Sequence, residues 1–266
     1  GEGRCPAATV KGYSATATAC EAGRQWPRAL RILGRLRPRR LAPDTVACGA
    51  AVSACGRGSR WEWALGFLLD LRRQGLELSS VARNSAASAC EKGQQWLPAL
   101  RLLQEQGLRP DVLSFSAALS ACEKRRQWEA VALLFAAMRG QGLRPDGVIC
   151  NAAISAYDKG QQWGLALQQL AQMQWDGPEP DLVSCNALLS ACEKAAEWRL
   201  ALRLLAEMPG AGLRPDTVSH SAAISACENA GQWQWALALL AAMPGAGLRA
   251  DAVCCNAAIS ACAKAG

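Results

Sequence analysis

The apolar positions of this chain fall into short stripes with helical spacing. In residues 182–216, Trp198, Ala201, Leu202, Leu205 and Met208 recur three and four residues apart, one face of an amphipathic helix. Just before it, Asn186–Lys194 is rich in Ala and Leu and free of Gly and Pro, which predicts a first helix with Ser184 placed to cap it. Ala195-Ala196 stands where Gly93 and Gly160 mark a glycine-containing turn elsewhere. Pro209-Gly210 and Gly212 end the second helix. The stretch therefore predicts two antiparallel helices of about three turns each and no strand.

The same stripe returns along the whole chain. Trp26, Trp61, Trp96, Trp128, Trp163, Trp198 and Trp233 are spaced 35, 35, 32, 35, 35 and 35 residues apart. Cys20, Cys55, Cys90, Cys122, Cys192, Cys227 and Cys262 keep the same period, with Tyr157 in the remaining slot. A Pro-Asp junction recurs at Pro43-Asp44, Pro110-Asp111, Pro145-Asp146, Pro180-Asp181 and Pro215-Asp216. Asn151–Ala156 recurs as Asn256–Ala261. Counted from the residue after the junction Asp, residues 1–9 form an N-terminal flank. The repeats are 10–44, 45–79, 80–111, 112–146, 147–181, 182–216, 217–251 and a partial 252–266. The third is short by three residues near Gln104–Gln106. Neither helix of a unit can bury its stripe alone, so neighbours must stack. Ala166, Ala201 and Ala236 share one site in the second helix and allow close approach. The predicted fold class is all-α: an α-solenoid superhelix of stacked helix–turn–helix repeats.

Composition then makes sense as repeat number. Of the 266 residues 51% are apolar and only 6% aromatic, and 10 Trp stand beside 2 Tyr and 3 Phe. That apolar share argues against disorder. No apolar run approaches the roughly 18–20 residues of a membrane span, and stretches such as Val131–Met138 have the length of helix stripes. A single His, His220, removes most histidine-dependent chemistry, and its repeat place is held by Tyr13, Phe115 and Cys185 in other units, as expected of a packed helix residue. The 13 Cys include no C-x2-C pair. Cys48/Cys55, Cys185/Cys192 and Cys255/Cys262 are seven apart, on one helix face but about 10 Å distant by the helical rise, too far for a disulfide. They predict small buried hydrophobes and a reducing compartment.

A 35-residue helix–turn–helix unit with Asn at the start of its first helix and Leu-x-Pro-Asp at the junction resembles the pentatricopeptide repeat, and the resemblance covers residues 10–266. Ser190–Trp198 is a local variant of that consensus. The tetratricopeptide repeat has a period of about 34 and a Trp-x2-Leu-Gly-x2-Tyr order that is absent here. The resemblance implies single-stranded RNA binding, one base per repeat. It implies that the second residue of each unit sandwiches a base: Val46, Val81, Leu113, Val148, Val183, Val218 and Val253, with Lys11 departing from the pattern in the first unit. A β-branched side chain offers a stiff wall.

The resemblance further implies that the fifth and final residues read the base edge as a pair. These are Ser14 with Asp44, Asn84 with Asp111, Ser116 with Asp146, Asn151 with Asp181, Asn186 with Asp216 and Ser221 with Asp251. Gly49 with Ser79 has no reader at the fifth place, and Asn256 stands without a final residue. In the family Asn/Asp favours uracil and Ser/Asp guanine, which implies a target of 5′-GNUGUUGY-3′. Beside this stands a purely local reading, in which Asn, Ser and Asp near a helix start are caps.

Arg57, Lys92, Lys124, Lys159, Lys194 and Lys264 share one place at the end of the first helix, so six cations of a formal +7 charge form a ladder. The resemblance turns that edge to the RNA backbone and implies phosphate contact; complementing the helix dipole is the local reading. Arg24, Arg28, Arg31, Arg35, Arg37, Arg39 and Arg40 form a second basic cluster, read equally as solvated surface or as part of the footprint.

No zinc-deaminase signature, P-loop or dinucleotide fingerprint occurs, and the acids Glu91, Glu123, Glu193 and Glu228 are spread one per repeat. The expectation is therefore no enzyme, no cofactor and no metal. The alternative function is a protein-binding helical scaffold of tetratricopeptide type. Work in a chloroplast or mitochondrion, in RNA processing, stability or translation, is implied by the resemblance alone. Gly1–Thr9 shows no transit peptide, and the final unit stops halfway, so further repeats are expected beyond it.

Overall fold

The structure, a computed structural model, describes residues 45–58, 60–73, 80–104 and 110–265, and before them only Ala15, Thr16, Ala19, Pro27, Arg28 and Arg31. The chain divides into two units, residues 1–125 and 126–266, each described by itself. The first unit contains α1 (Thr45–Arg57), α2 (Trp61–Arg73), α3 (Ser80–Lys92), α4 (Trp96–Gln104) and α5 (Val112–Lys124). The second contains α6 (Trp128–Gly140), α7 (Gly147–Lys159), α8 (Trp163–Asp176), α9 (Leu182–Lys194), α10 (Trp198–Glu207), α11 (Thr217–Asn229), α12 (Trp233–Ala242) and α13 (Ala252–Ala265). No strand occurs among the described residues. The fold is all-α, built from helix pairs of the α-solenoid class.

Within each unit the first helices of successive pairs lie side by side: α1 on α3 and α3 on α5, then α7 on α9, α9 on α11 and α11 on α13. Where both helices of a pair belong to one unit, the second packs in the furrow between its own first helix and the next, as α8 does between α7 and α9. Small side chains permit this. Ala64, Ala99, Ala166, Ala201 and Ala236 occupy one place in the second helix and are all fully buried, and Val131 fills that place in α6. On the first helices, Ala51, Ala86, Ala118, Ala153 and Ala223 are likewise sealed. The larger buried side chains, such as Leu188, Leu189, Ile154 and Ile224, fill the space between the layers.

The first helices start earlier than the apolar stripe suggests. Asp181, and not Ser184, caps α9: its carboxylate accepts from the Ser184 backbone N–H at 2.8 Å, while the Ser184 hydroxyl returns to the Asp181 backbone N–H. The reciprocal pair satisfies two amides that a helix start would otherwise leave unpaired. Asp216 caps α11 with the same reciprocal pair, while Asp111 and Asp146 cap α5 and α7 through the carboxylate alone, which accepts from the Ser114 and Ile149 backbone N–H. Both polar residues at the helix start have capping chemistry; the extended backbone at Asp181 decides between them.

The turn between the helices of a pair is also one residue off its glycines. Gln94, Arg126, Gln161 and Ala196 take left-handed backbone with φ of 54–57°, and Gly231 takes it with φ 68°. The following N–H, from Gln95, Gln162, Glu197 or Gln232, then reaches back to the carbonyl of Cys90, Tyr157, Cys192 or Cys227 at 2.8–2.9 Å. Gly93 and Gly160 serve packing instead. A Cβ on Gly93 would stand 2.5 Å from Cδ1 of Trp61, and one on Gly160 2.5 Å from Cδ1 of Trp128. These tryptophans thus sit on the turn of the following repeat. Trp198 packs against the buried cluster of Ile224, Cys227, Ala236 and Met243, its ring 6.3 Å from that of Trp235.

The second helices close on Gly142, Gly212 and Gly247, with φ of 72–76°, and the next leucine N–H bonds the carbonyl of Met138, Met208 or Met243. His220 is buried, its Nδ1 3.0 Å from the Asp216 carbonyl one turn back. No helix among the described residues is long and apolar enough to cross a membrane.

Two consequences are measurable. Ala196 holds a left-handed conformation in which its Cβ is strained, so Ala196→Gly is expected to stabilise the protein by about 0.5–1 kcal/mol in chemical denaturation. Burial pushes the thiols of Cys90, Cys122 and Cys192 up to about 12. At pH 8 these three are expected to resist iodoacetamide in the native protein and to react only on unfolding, as read by peptide mapping.

Candidate nucleic-acid interface

The junction aspartates do more than cap. Asp111 uses Oδ1 for the Ser114 backbone N–H at 2.9 Å, and its Oδ2 accepts from Asn84 Nδ2 at 2.7 Å. The fifth and final residues of the repeat 80–111 are therefore hydrogen-bonded neighbours although 27 residues apart. Asn151 bonds Asp181 Oδ2 at 2.9 Å, and Asn186 bonds Asp216 at 3.3 and 3.5 Å. Stacking of first helix on first helix makes the pair: it sets the N-terminus of one helix beside the first turn of the helix before it.

Burial acts on Asp111, Asp181 and Asp216 as the largest single influence and raises their pKa. It is outweighed by the hydrogen bonds from Asn84 and Ser114, from Ser184 and Asn151, and from Ser219 and Asn186, so all three carboxyls lie below the usual range and stay ionised at neutral pH. Asp251 is lowered as well, by hydrogen bonds from Cys254 above all.

The second-place side chains stand beside these pairs and point to solvent. Val81, Leu113, Val148, Val183, Val218 and Val253 are 57–68% exposed, although each belongs to a helix that is otherwise half-buried. Core packing does not account for six exposed aliphatic side chains at one repeated place. In the first unit a groove of about 590 Å³ is lined by Val81 and Leu113, by Asn84 and Ser116, and by Glu91 and Lys92. Two successive second places, two successive fifth places and one ladder cation thus share one concavity.

The ladder is cross-linked. Lys124 Nζ lies 3.1 Å from Glu91 Oε1, Lys194 Nζ 2.7 Å from Asp158 Oδ2, and Lys264 Nζ 3.1 Å from Glu228 Oε1. Each cation bonds the acid of the preceding repeat, 33–36 residues earlier. The lysine side chains remain 40–50% exposed, so the pairs contribute only about 0–1 kcal/mol each and can be shared with another anion. Where Asn229 replaces the lysine, its amide bonds the Glu193 carbonyl instead, and burial raises the Glu193 carboxyl. The role of Glu91, Asp158 and Glu228 was open to detection in the sequence, since an acid recurs at that place as Glu91, Glu123, Asp158, Glu193 and Glu228.

Several expected site residues lie outside the described residues: Ser14, Asp44, Lys11 and Ser79, with the side chains of Val46 and Arg57. Of the N-terminal arginine cluster only Arg28 and Arg31 are described, both exposed. Ser116 belongs to the first unit and Asp146 to the second. Lys92 and Lys159 are exposed at the ends of α3 and α7, and Asn256 is exposed on α13.

Residues 99–160 match the family model described as "Pentatricopeptide repeat domain", and 180–229 match that of the "PPR repeat family". The chain carries pentatricopeptide repeats. Its helices superpose on those of the pentatricopeptide repeat protein PPR10 from maize with a TM-score of 0.59 at 17% identity, over 97% of this chain and 42% of that one. The crystal structure of PPR10 in complex with an 18-nt psaJ RNA element matches with a TM-score of 0.52, again at 17% identity, over 97% of this chain and 43% of that one. The repeat domain of Arabidopsis thaliana protein-only RNase P 1, solved in complex with tRNA, matches with 0.57 at 15% identity, over 66% of this chain and 95% of that one. The chain thus spans less than half the length of the maize protein. No curated protein matches it in sequence.

The lowered aspartates set a pH dependence. A carboxyl whose folded pKa lies below its unfolded value contributes stability above the unfolded pKa, and loses it as pH falls through the folded one. Stability in urea is therefore expected to drop below about pH 4. Asp216→Ala, which removes cap and charge together, is expected to cost about 0.5–2 kcal/mol at pH 7 and to flatten that acid limb.

Proposed function

We propose that this protein binds single-stranded RNA sequence-selectively, one base per repeat, without catalysing a reaction on it. What carries the reading is the repeated set of an exposed aliphatic wall and a hydrogen-bonded Asn–Asp pair, as Val81 with Asn84–Asp111 and Val183 with Asn186–Asp216. Two walls from successive repeats can hold a flat base between them. The pair at the bottom offers amide donor and acceptor together with an ionised acceptor, enough to discriminate a base edge. The lysine ladder supplies a half-exposed cation beside each such place, and phosphates can compete for it with Glu91, Asp158 and Glu228. That two of the similar solved structures contain RNA supports the same partner.

The pairs read as 5′-GNUGUUGY-3′, with Val46, Val81, Leu113, Val148, Val183, Val218 and Val253 as walls. In the cell we infer a role on an organellar transcript, in its processing, stability or translation.

Selection of bound RNAs from a random pool tests this. Asn186→Ser is expected to move the preference at one nucleotide from U to G and leave the others unchanged. Affinity is expected to fall with salt at a log–log slope of about −0.7 per phosphate neutralised. A flat salt response, with no change of base on the Asn186 exchange, would favour the protein-binding scaffold instead.

A further inference from the structure

We propose that the third residue of each repeat is a positioning residue for the base-reading pair of the repeat before it, and that an Asn reader requires Ser there. The inference rests on the base-reading function above and adds a fourth participant to it, one supplied by the neighbouring repeat.

The geometry comes first. Ser114 Oγ lies 2.6 Å from Asn84 Oδ1, while Asn84 Nδ2 donates to Asp111 Oδ2 at 2.7 Å. Ser219 Oγ lies 2.6 Å from Asn186 Oδ1, while Asn186 Nδ2 donates to Asp216. Each Asn amide is thus held at both ends, by partners of opposite kind. The ionised carboxylate can only accept, so it draws Nδ2; the hydroxyl, which has one proton, lies closer to the Asn Oδ1 at 2.6 Å than to the aspartate Oδ1 at 2.9 Å. A flipped amide would set Oδ1 against the carboxylate, lose that bond and force the hydroxyl to turn its proton away to the aspartate. One N–H and one lone pair of the amide remain for a base, in a fixed order along its plane. Without the hydroxyl, nothing on the oxygen side distinguishes the two orders.

The sequence shows the same dependence. Every Asn reader with a following repeat has Ser at that repeat's third place: Asn84 with Ser114, Asn151 with Ser184 and Asn186 with Ser219. No Ser reader does. Ser14 is followed by Ala47, Ser116 by Ile149 and Ser221 by Cys254. Capping does not explain the division, because Asp111, Asp146, Asp181 and Asp216 cap the next helix whichever reader precedes them. A Ser hydroxyl rotates to suit its base and needs no orienting group. Ser221 instead bonds the buried Cys254 thiol. Asn151 is the instructive intermediate: Ser184 is turned to Asp181 Oδ1 at 2.7 Å, and Asn151 Oδ1 is buried with no hydrogen-bond partner. The orienting bond is unmade there, and the oxygen that lacks it is sealed from water.

The test uses the full chain and a random RNA pool, with four variants beside the native protein: Ser219→Ala, Ser219→Thr, Ser221→Asn, and Ser221→Asn with Cys254→Ser. Ser219→Ala is expected to reduce the preference for U at the Asn186 nucleotide by about two- to tenfold, the size of one hydrogen bond, with other positions unchanged. Ser219→Thr keeps the hydroxyl and is expected to retain the native preference. Ser221→Asn alone is expected to select U weakly, and addition of Cys254→Ser to raise that selection to the level at Asn186. A purely structural serine would lower affinity for all sequences alike. The proposal is overturned if Ser219→Ala leaves the base preference intact or lowers all positions equally, or if Ser221→Asn selects U equally well with Cys254 and with Ser. If Asn186→Ser itself changes no base, the base-reading function falls; if it does while the serine variants do nothing, only this inference falls.

Discussion

An aspartate carboxylate, repeated at Asp111, Asp181 and Asp216, joins the start of one helix to the Asn of the helix before it. One oxygen of Asp111, Asp181 or Asp216 accepts from an amide in the first turn of the following helix; Asn84 and Asn151 on the preceding helices reach the other oxygen, and Asn186 donates to both oxygens of Asp216. The same carboxylates that start these helices therefore hold the Asn side chains of the preceding ones. The hydrogen bonds outweigh the burial that would neutralise these groups, so each stays charged where a base edge would meet it. Such an aspartate cannot be exchanged for reading alone, because the helix start goes with it.

Close stacking makes that arrangement possible. Fully buried Ala at one place of nearly every second helix lets backbones approach, and the buried Cys, too small to prop the helices apart, lies where the turn closes. The tryptophans supply what the alanines lack in area. Trp61 and Trp128 spread over the turn of the next repeat, where Gly93 and Gly160 leave room for the ring. In such a fold each repeat is stabilised chiefly by its neighbours, while Val81, Leu113, Val148, Val183, Val218 and Val253 stay exposed and take no part in that packing.

The ladder of cations takes its meaning from its partners. Lys124, Lys194 and Lys264 are each bonded to an acid of the preceding repeat, so the positive edge is partly neutralised at rest. Ion pairs this exposed hold little energy, so the lysines can exchange one anionic partner for another. The pairs orient the lysines along one edge of the first helices without committing them.

The sequence by itself determined the period, the two helices of each unit, the all-α class and the bland nature of the cysteines, because each of these follows from spacing within a few turns of helix. It also singled out the second, fifth and final places, through the resemblance their residues carry. It did not decide which polar residue caps the helix: Ser184 and Asp181 both have the chemistry, and only the backbone at the junction separates them. Nor did it reveal why Gly93 and Gly160 are glycine, since the ring that needs the space comes from the repeat before. The pairing of Lys194 with Asp158, and of Ser219 with Asn186, likewise joins residues 33–36 apart. Local periodicity is written along the chain, whereas contacts between repeats depend on the offset at which helices stack, and that offset exists only once they have packed.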